Sequence, residues 1–160
     1  MTLLVADAGP LHYLVQIGAV AVLPALARRV LVPEAVWREL REPAAASVVR
    51  EWAACLPPWV ELRQFTVATE VSPQLSTADQ ACIGLALEMQ ALLLMDDRRG
   101  RHAAEERGVR TIGTLGILEA ASAKGLLPLA EAIHRLRQTS IYLTDELYAA
   151  ALERDVRRRD

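Results

Sequence analysis

The sequence predicts an α/β fold in which helices cover both faces of a parallel sheet. Short apolar runs alternate with helical patterns along the whole chain. Strands buried on both faces read as continuous apolar runs, whereas helices repeat their apolar residues at spacings of three and four. A length of 160 residues and a hydrophobic content of 52% suit one domain with a substantial core. We therefore expect a single domain over residues 1–160.

Three strands are predicted in the first half of the chain. The apolar run 2–6 stops at the turn signal "DAGP", which leaves Asp7 at the carboxyl end of the first strand. The run 29–32 is a second strand, and 59–65 is a strand or an extended connection. Helices are predicted over 10–17 with Gly18 as cap, over 19–28, over 33–40 with Pro33 at the first helical position, and over 44–55.

The second half continues the alternation after a loop over residues 66–75. A strongly apolar helix over 76–89 opens with the capping pattern "STAD" and leads into a buried strand over 91–95. The pattern then predicts a helix over 98–108, a strand over 109–113, and helices over 114–125, 128–138 and 144–154. We interpret the helices from about residue 128 onward as a C-terminal extension of the domain.

Net charge, cysteine spacing and hydropathy restrict the partners and the cellular compartment that we expect for the protein. The net charge of −2 gives no global attraction to polyanions, so local features must hold such a partner. Cys55 and Cys82 have no CxxC-type spacing and are expected to be free thiols in a reducing cytosol. Because the sequence shows no secretion signal and no membrane-spanning apolar run, we expect a soluble, cytoplasmic protein without a membrane partner.

Acidic residues mark one edge of the predicted sheet. Asp7 follows the first strand, and Asp96 and Asp97 follow the strand at 91–95. Asp79 opens the helix that leads into that strand. Ligands of open parallel sheets collect at the carboxyl ends of the strands near a topological switch point. The acids therefore lie where the fold predicts a site.

Each acid also has a purely structural interpretation. Asp7 and Asp97 suit turn or N-cap positions, and Asp79 suits a capping box in which it complements the helix dipole. Glu39, beside the buried stripe of its helix, could be a solvated residue paired with Arg38 or Arg41. A cluster explains all of these positions together.

Clustered carboxylates favour a divalent cation. Carboxylates in one cleft raise one another's pKa values unless a cation neutralises them. All-oxygen ligation suits Mg²⁺ or Mn²⁺, and no cysteine or histidine grouping in the sequence suits zinc. One or two such ions activate water and stabilise the charge that develops during in-line attack on a phosphodiester. The sequence therefore predicts hydrolysis of a phosphate ester.

Five segments, in their order along the chain, carry a family resemblance. They read "ADAGPLHYL", "VLVPEAVWREL", "TADQACIGLALE", "LLMDDRRGRHAAEERGV" and "RTIGTLGILEAASAKGLL". Together they resemble a PIN-domain nuclease of the kind found as the toxin in VapBC-type toxin–antitoxin pairs, and the resemblance covers essentially the whole chain. It implies a three-layer α/β/α fold and a Mg²⁺- or Mn²⁺-dependent endoribonuclease activity. It also implies a homodimer restrained by a small antitoxin protein.

The resemblance assigns roles to particular residues. The four acidic positions of the catalytic site fall on Asp7, Glu39, Asp79 and Asp97, of which we expect Asp7, Asp79 and Asp97 to hold metal. Asp96 takes the place where many relatives carry serine or threonine, and it is counted with the metal-site residues as a ligand, a nearby hydrogen-bond acceptor or a bystander. One departure from the family is Gly9, which replaces a small hydroxyl residue.

Three arginines follow the aspartate pair. Arg98, Arg99 and Arg101 are expected to guide RNA through contacts to phosphate. The alternative is that they are solvated helix residues paired with Glu105 and Glu106.

Three other functions are alternatives to a nuclease. A phosphoaspartate receiver needs a lysine at a later strand end, but Lys124, the only lysine, lies in a helix before Gly125. A haloacid-type phosphatase needs a second aspartate where Gly9 stands. The third alternative is a catalytically silent PIN domain that binds protein or RNA, and the retention of all four acids argues against it.

Overall fold

The protein is built around a five-stranded parallel sheet. The computed structural model describes residues 2–66 and 73–160, so residues 67–72 of the predicted loop 66–75 lie outside the described residues. The strands are β1 Leu3–Ala6, β2 Arg29–Pro33, β3 Val60–Arg63, β4 Leu92–Leu94 and β5 Thr111–Ile112. All four neighbouring pairs within these ranges run parallel, as the sequence predicts.

The order of the strands places a switch point at the centre of the sheet. That order is β3-β2-β1-β4-β5, so the chain builds outward from β1 on one side and then crosses to β4 on the other. The backbone N–H of Asp7 donates to the carbonyl of Leu94 at 3.0 Å. The first predicted site residue therefore lies between the carboxyl ends of β1 and β4, where successive strands change from one side of β1 to the other.

Helices cover both faces of the sheet and complete the predicted three-layer α/β/α fold. They are α1 Ala8–Gln16, α2 Leu23–Leu26, α3 Glu34–Leu40, α4 Ser47–Ala54, α5 Thr77–Met89, α6 Arg98–Glu106, α7 Thr114–Ala123, α8 Leu129–Leu136 and α9 Asp145–Arg159. A short 3₁₀ turn, Val20–Val22, precedes α2.

Several helix boundaries differ from the prediction for local reasons. Helix α1 begins at Ala8 because Asp7 already has the extended backbone of an N-cap, and Pro10 is accommodated in the first turn, which needs no N–H there. Pro33 is the last residue of β2 and the N-cap of α3 rather than its first residue. Helix α4 begins at Ser47, three residues later than predicted, and α9 continues to Arg159.

The core lies between the sheet and its helices. Val5 and Leu93 on the central strands are fully buried, as are Leu11 and Leu14 on α1. This agrees with the prediction that the apolar runs are strands covered on both faces. The buried switch point therefore has a rigid apolar layer beneath it.

The C-terminal helix α9 is held against α7 by polar contacts. Ser122 donates its hydroxyl to Asp155, which is 5% exposed, at 2.6 Å. Arg154 binds both carboxylate oxygens of Glu119, at 2.8 and 3.1 Å. The division of the chain at about residue 128 stays a prediction.

Within residues 2–66 and 73–160, no single helix is long and apolar enough to cross a membrane. Helix α1 and the segment Val20–Leu26 satisfy the length and composition criteria only as a pair, bent by 114°.

Candidate active site

Asp7 occupies the centre of the candidate site. It is 7% exposed and stands at the N-cap position of α1, but its side chain makes no capping hydrogen bond there. Its carboxylate instead accepts a hydrogen bond from the thiol of Cys82 on α5, with Sγ and Oδ1 3.7 Å apart. The capping interpretation of this aspartate therefore accounts for its backbone and not for its carboxylate.

Burial and neighbouring acids raise the pKa of Asp7 to about 7. Loss of solvation is the largest cause, and the negative charges of Asp79 and Glu39 add to it. Hydrogen bonds from the Ala8 backbone and from Cys82 act in the opposite direction. Without a cation, Asp7 thus holds a proton close to neutral pH.

Asp79 links the two halves of the acid cluster. Ser76 caps α5 by accepting the backbone N–H of Asp79 at 3.1 Å, which confirms the predicted N-cap. Burial raises the pKa of the Asp79 side chain, and the negative charge of Asp97 raises it further. Hydrogen bonds with Ser76 and Asp7 lower it. Asp79 therefore interacts with the aspartates that follow both central strands.

Glu39 faces the same cluster from α3. Burial is the largest cause of its raised pKa, followed by the charges of Asp79 and Glu42. The arginines proposed as its surface partners are engaged elsewhere. Arg38 pairs with Glu34 at 3.3 Å, and Arg41 stacks over the ring of Trp37 at 4.4 Å. The solvated-pair interpretation of Glu39 therefore does not describe its contacts.

Asp97 combines a structural contact with a position in the cluster. It is exposed and caps α6 by accepting the backbone N–H of Gly100 at 2.8 Å through Oδ2. Its charge also acts on Asp79. The two interpretations of Asp97 from the sequence are therefore compatible.

The carboxylate of Asp96 contacts the start of α7. Its Oδ1 accepts the backbone N–H of Thr114 at 2.8 Å, and its Oδ2 accepts the hydroxyl of the same residue at 2.6 Å. Thr114 is fully buried. Both oxygens of Asp96 are therefore occupied by one residue at the start of α7.

The three arginines of α6 have different surroundings. Arg98 and Arg99 are exposed in the first turn of the helix. Arg101 donates from Nε to the hydroxyl of Thr111 at 3.2 Å, and that hydroxyl donates to Glu105 at 2.7 Å. The RNA contact predicted for Arg101 thus competes with a bond inside the protein.

Two residues at the site have roles that the sequence does not predict. The sequence predicts Cys82 only as a free thiol, but it lies three positions after Asp79 and hence on the same face of α5. Burial and nearby acids raise the pKa of its thiol, which keeps the thiol protonated as a donor. Thr114 follows β5 by two residues, so its place just after the predicted strand 109–113 is the available signal.

The acids at the site supply the oxygen donors that a hard divalent cation prefers, but they are not already arranged around a cation position. Among the described residues, no group of three or more His, Cys, Asp or Glu side chains is arranged to hold a metal ion. Burial nevertheless raises the pKa values of Asp7, Glu39 and Asp79. Neighbouring acids add to this effect, since Asp79 acts on Asp7 and Glu39, and Asp97 acts on Asp79. Mutual repulsion keeps such carboxylates apart until a cation neutralises them, so the two observations are consistent. The all-oxygen donor set matches Mg²⁺ or Mn²⁺.

A parallel α/β/α sheet with buried, interacting acids at its switch point defines the class of this protein. The PIN-domain family model described as DUF3368 matches residues 3–156. The chain therefore belongs to the PIN-domain family, whose members are typically nucleases. This confirms the family expected from the five sequence segments.

The comparison with solved structures supports the fold. A PilT N-terminus domain protein from the hyperthermophilic archaeon Sulfolobus solfataricus P2 is similar with a TM-score of 0.50 and 14% sequence identity. The match covers 89% of this chain and 99% of that one. No curated protein matches the sequence.

Proposed function

We propose that the protein is a Mg²⁺- or Mn²⁺-dependent endoribonuclease that hydrolyses RNA phosphodiester bonds. The observation that carries the proposal is Asp7, buried at the switch point with a pKa of about 7 beside two further acids. Such a group is costly to ionise unless a positive charge lies next to it. In the isolated protein, a bound proton neutralises the Asp7 carboxylate. A divalent cation can replace that proton, because it suits the oxygen donors of all the acids.

The side chains divide the work in this proposal. Asp7, Asp79 and Asp97 hold the cation, and Glu39 completes the catalytic acid set from α3. The thiol of Cys82 orients the Asp7 carboxylate by donating to Oδ1. When bound, the cation supplies activation of water and stabilisation of the negative charge that develops on the phosphate.

Positive residues beside the acids suit the RNA backbone. Arg98 and Arg99 begin α6 immediately after Asp97 and are exposed, which suits them to contact phosphates next to the cleaved bond. A separate cleft lies along α6, with Arg99, His102 and Arg107 on its wall. Arginine contacts to phosphate position a strand without reading its sequence. We therefore assign RNA binding first to Arg98 and Arg99, with Arg101 contributing only if it leaves Thr111.

We further propose that the protein is the toxin of a type II toxin–antitoxin pair, acting as a homodimer and restrained by a small antitoxin protein. The support is the family resemblance and the apolar surface near the C-terminus, where Tyr142 is 90% exposed and Leu147 and Val156 of α9 are also exposed. Induced expression tests the toxin role, because wild-type protein should arrest growth and Asp7→Asn should not. Light scattering on the purified protein tests the dimer.

The second candidate function is a silent PIN domain that binds protein or RNA without cutting it. Two observations favour it. No three-ligand metal group is preformed among the described residues, and Gly9 replaces the hydroxyl residue of many relatives.

One experiment separates the two candidates. Structured and unstructured RNA are incubated with the protein in EDTA or Mn²⁺, beside Asp7→Asn and a control, Glu88→Gln, which changes an exposed acid on α5. A nuclease cuts only with Mn²⁺, loses cleavage in Asp7→Asn and retains it in Glu88→Gln. A folded wild-type protein that neither cuts RNA nor binds Mn²⁺ would establish the silent domain instead.

A further inference from the structure

Helix α7 is capped by a residue from another strand. Its own N-cap residue, Gly113, has no side chain to accept the helix's first N–H groups. Asp96, which follows β4, accepts the N–H of Thr114, and it also accepts the Thr114 hydroxyl. Asp96 thereby supplies the cap that Gly113 lacks.

The absence of a side chain at Gly113 is what allows this contact. A Cβ on Gly113 would lie 2.9 Å from Oδ1 of Asp96 and 3.1 Å from Nη1 of Arg101. The first distance is too short for a real contact, so any larger residue displaces the Asp96 carboxylate. The contact between Asp96 and Thr114 therefore depends on a glycine at position 113.

The consecutive carboxylates of Asp96 and Asp97 are therefore hydrogen-bonded to the starts of two different helices. Asp96 is bound to the start of α7, and Asp97 is bound through Gly100 to the start of α6. The short connection between β4 and α6 has little freedom to rotate once both ties are made. The contact at Asp96 therefore constrains the backbone of Asp97, whose negative charge acts on Asp79.

We propose that Asp96 is a positioning residue that holds Asp97 in place through Thr114, and that it does not itself bind the cation. The proposal rests on the proposed metal-dependent function. It departs from the sequence expectation that counted Asp96 with the metal-site residues. The two charge-assisted hydrogen bonds to the buried Thr114 hold the Asp96 carboxylate against the start of α7, whereas Asp97 keeps a carboxylate at the exposed edge of the cluster.

Four substitutions distinguish the roles. In Asp96→Asn, the amide oxygen still accepts the Thr114 N–H and the amide nitrogen donates to the Thr114 hydroxyl, so both ties survive without the charge. Asp97→Asn removes charge from the proposed ligand. Thr114→Val removes the hydrogen bond from the Thr114 hydroxyl to Asp96, at a buried residue that is not a proposed ligand. Thr114→Ser keeps the hydroxyl and is the matched control.

Two measurements read the result at a temperature where every variant is folded. Calorimetric titration gives the Mn²⁺ affinity, and the NMR shift of the Gly100 amide in EDTA reports the Asp97 contact without metal. We expect Asp96→Asn and Thr114→Ser to stay within about threefold of wild-type Mn²⁺ affinity, and Thr114→Val to lose about tenfold, as for other partners that orient metal ligands. Asp97→Asn should lose at least as much, and only Asp97→Asn and Thr114→Val should shift the Gly100 amide.

Three outcomes would overturn the proposal. If Asp96→Asn lost as much Mn²⁺ affinity as Asp97→Asn, Asp96 would be a ligand. If Thr114→Val lowered the melting temperature but moved neither the affinity nor the Gly100 amide, the contact would be merely structural. If wild-type protein bound no Mn²⁺, the proposed function would fail, and an unmoved Gly100 amide in Thr114→Val would separately reject the positioning role. Should Thr114→Val not fold, Gly113→Ala displaces Asp96 and serves in its place.

Discussion

Replacing Asp7 by asparagine should stabilise the metal-free protein, and increasingly so as the pH rises. In the unfolded chain this carboxyl loses its proton near its ordinary pKa of 3.8, whereas in the folded protein it does so at about 7. Between these values the native state binds the extra proton, so the stability of the wild type falls as the pH increases. Asparagine has no proton to lose and does not show this fall.

The magnitude follows from the two pKa values. The difference between 3.8 and about 7 corresponds to up to about 4 kcal/mol, at roughly 1.4 kcal/mol for each tenfold change in the ionisation constant. Unfolding entropy of about 2.1 cal/mol/K per residue gives roughly 0.34 kcal/mol/K for a chain of 160 residues. The melting temperature of Asp7→Asn should therefore exceed that of the wild type by up to about 12 °C near pH 8, and by little near pH 4.

The assay is urea and thermal unfolding in EDTA over this pH range, with Glu88→Gln as the control for loss of one exposed acid on α5. The control should follow the wild-type curve. A difference between Asp7→Asn and wild type that is the same at every pH would refute the reasoning, because it would show that ionisation of Asp7 does not oppose folding.

Four other results are expected. At about 100 times its Kd, Mn²⁺ should add about 2.7 kcal/mol and raise the wild-type melting temperature by roughly 8 °C, with little change in Asp7→Asn. Ser76→Ala, which deletes the N-cap of α5, should cost about 1 kcal/mol in urea unfolding, and Ser76→Thr much less. Gly9→Ser should fold normally, because its Cβ meets open space, and calorimetry then shows whether a hydroxyl there strengthens Mn²⁺ binding. In the Asp7→Asn background, Arg98→Ala combined with Arg99→Ala should reduce the slope of log affinity for RNA against log salt by about 1 to 2, whereas the exposed Arg50→Ala should not.

Most of the fold follows from short-range patterns in the sequence. Continuous apolar runs such as 91–95 mark strands covered on both faces, and the caps at Gly18 and Ser76 mark helix ends. The edge that gathers Asp7 and Asp97 follows from parallel strands alone. These features depend on residues near one another along the chain, which explains why they are readable without a structure.

Other features depend on contacts between distant segments. The bond between Asp96 and Thr114 joins residues 18 positions apart and requires the register of β4 on β5. The raised pKa of Asp7 depends on how deeply α1, α3 and α5 bury it. Periodicity contains no information about either quantity. The start of α1 at Ala8 was missed for a different reason, since Pro10 suits several places in a first turn.

The order of the strands has a consequence for the newly made chain. Asp7 and Glu39 leave the ribosome early, but β1 acquires its second neighbour only after Leu92–Leu94 have been synthesised and inserted beside it. Domains generally fold as units, and the N-terminal part alone leaves one side of β1 unpaired. The cluster of acids is therefore assembled late, after more than half of the chain has been synthesised.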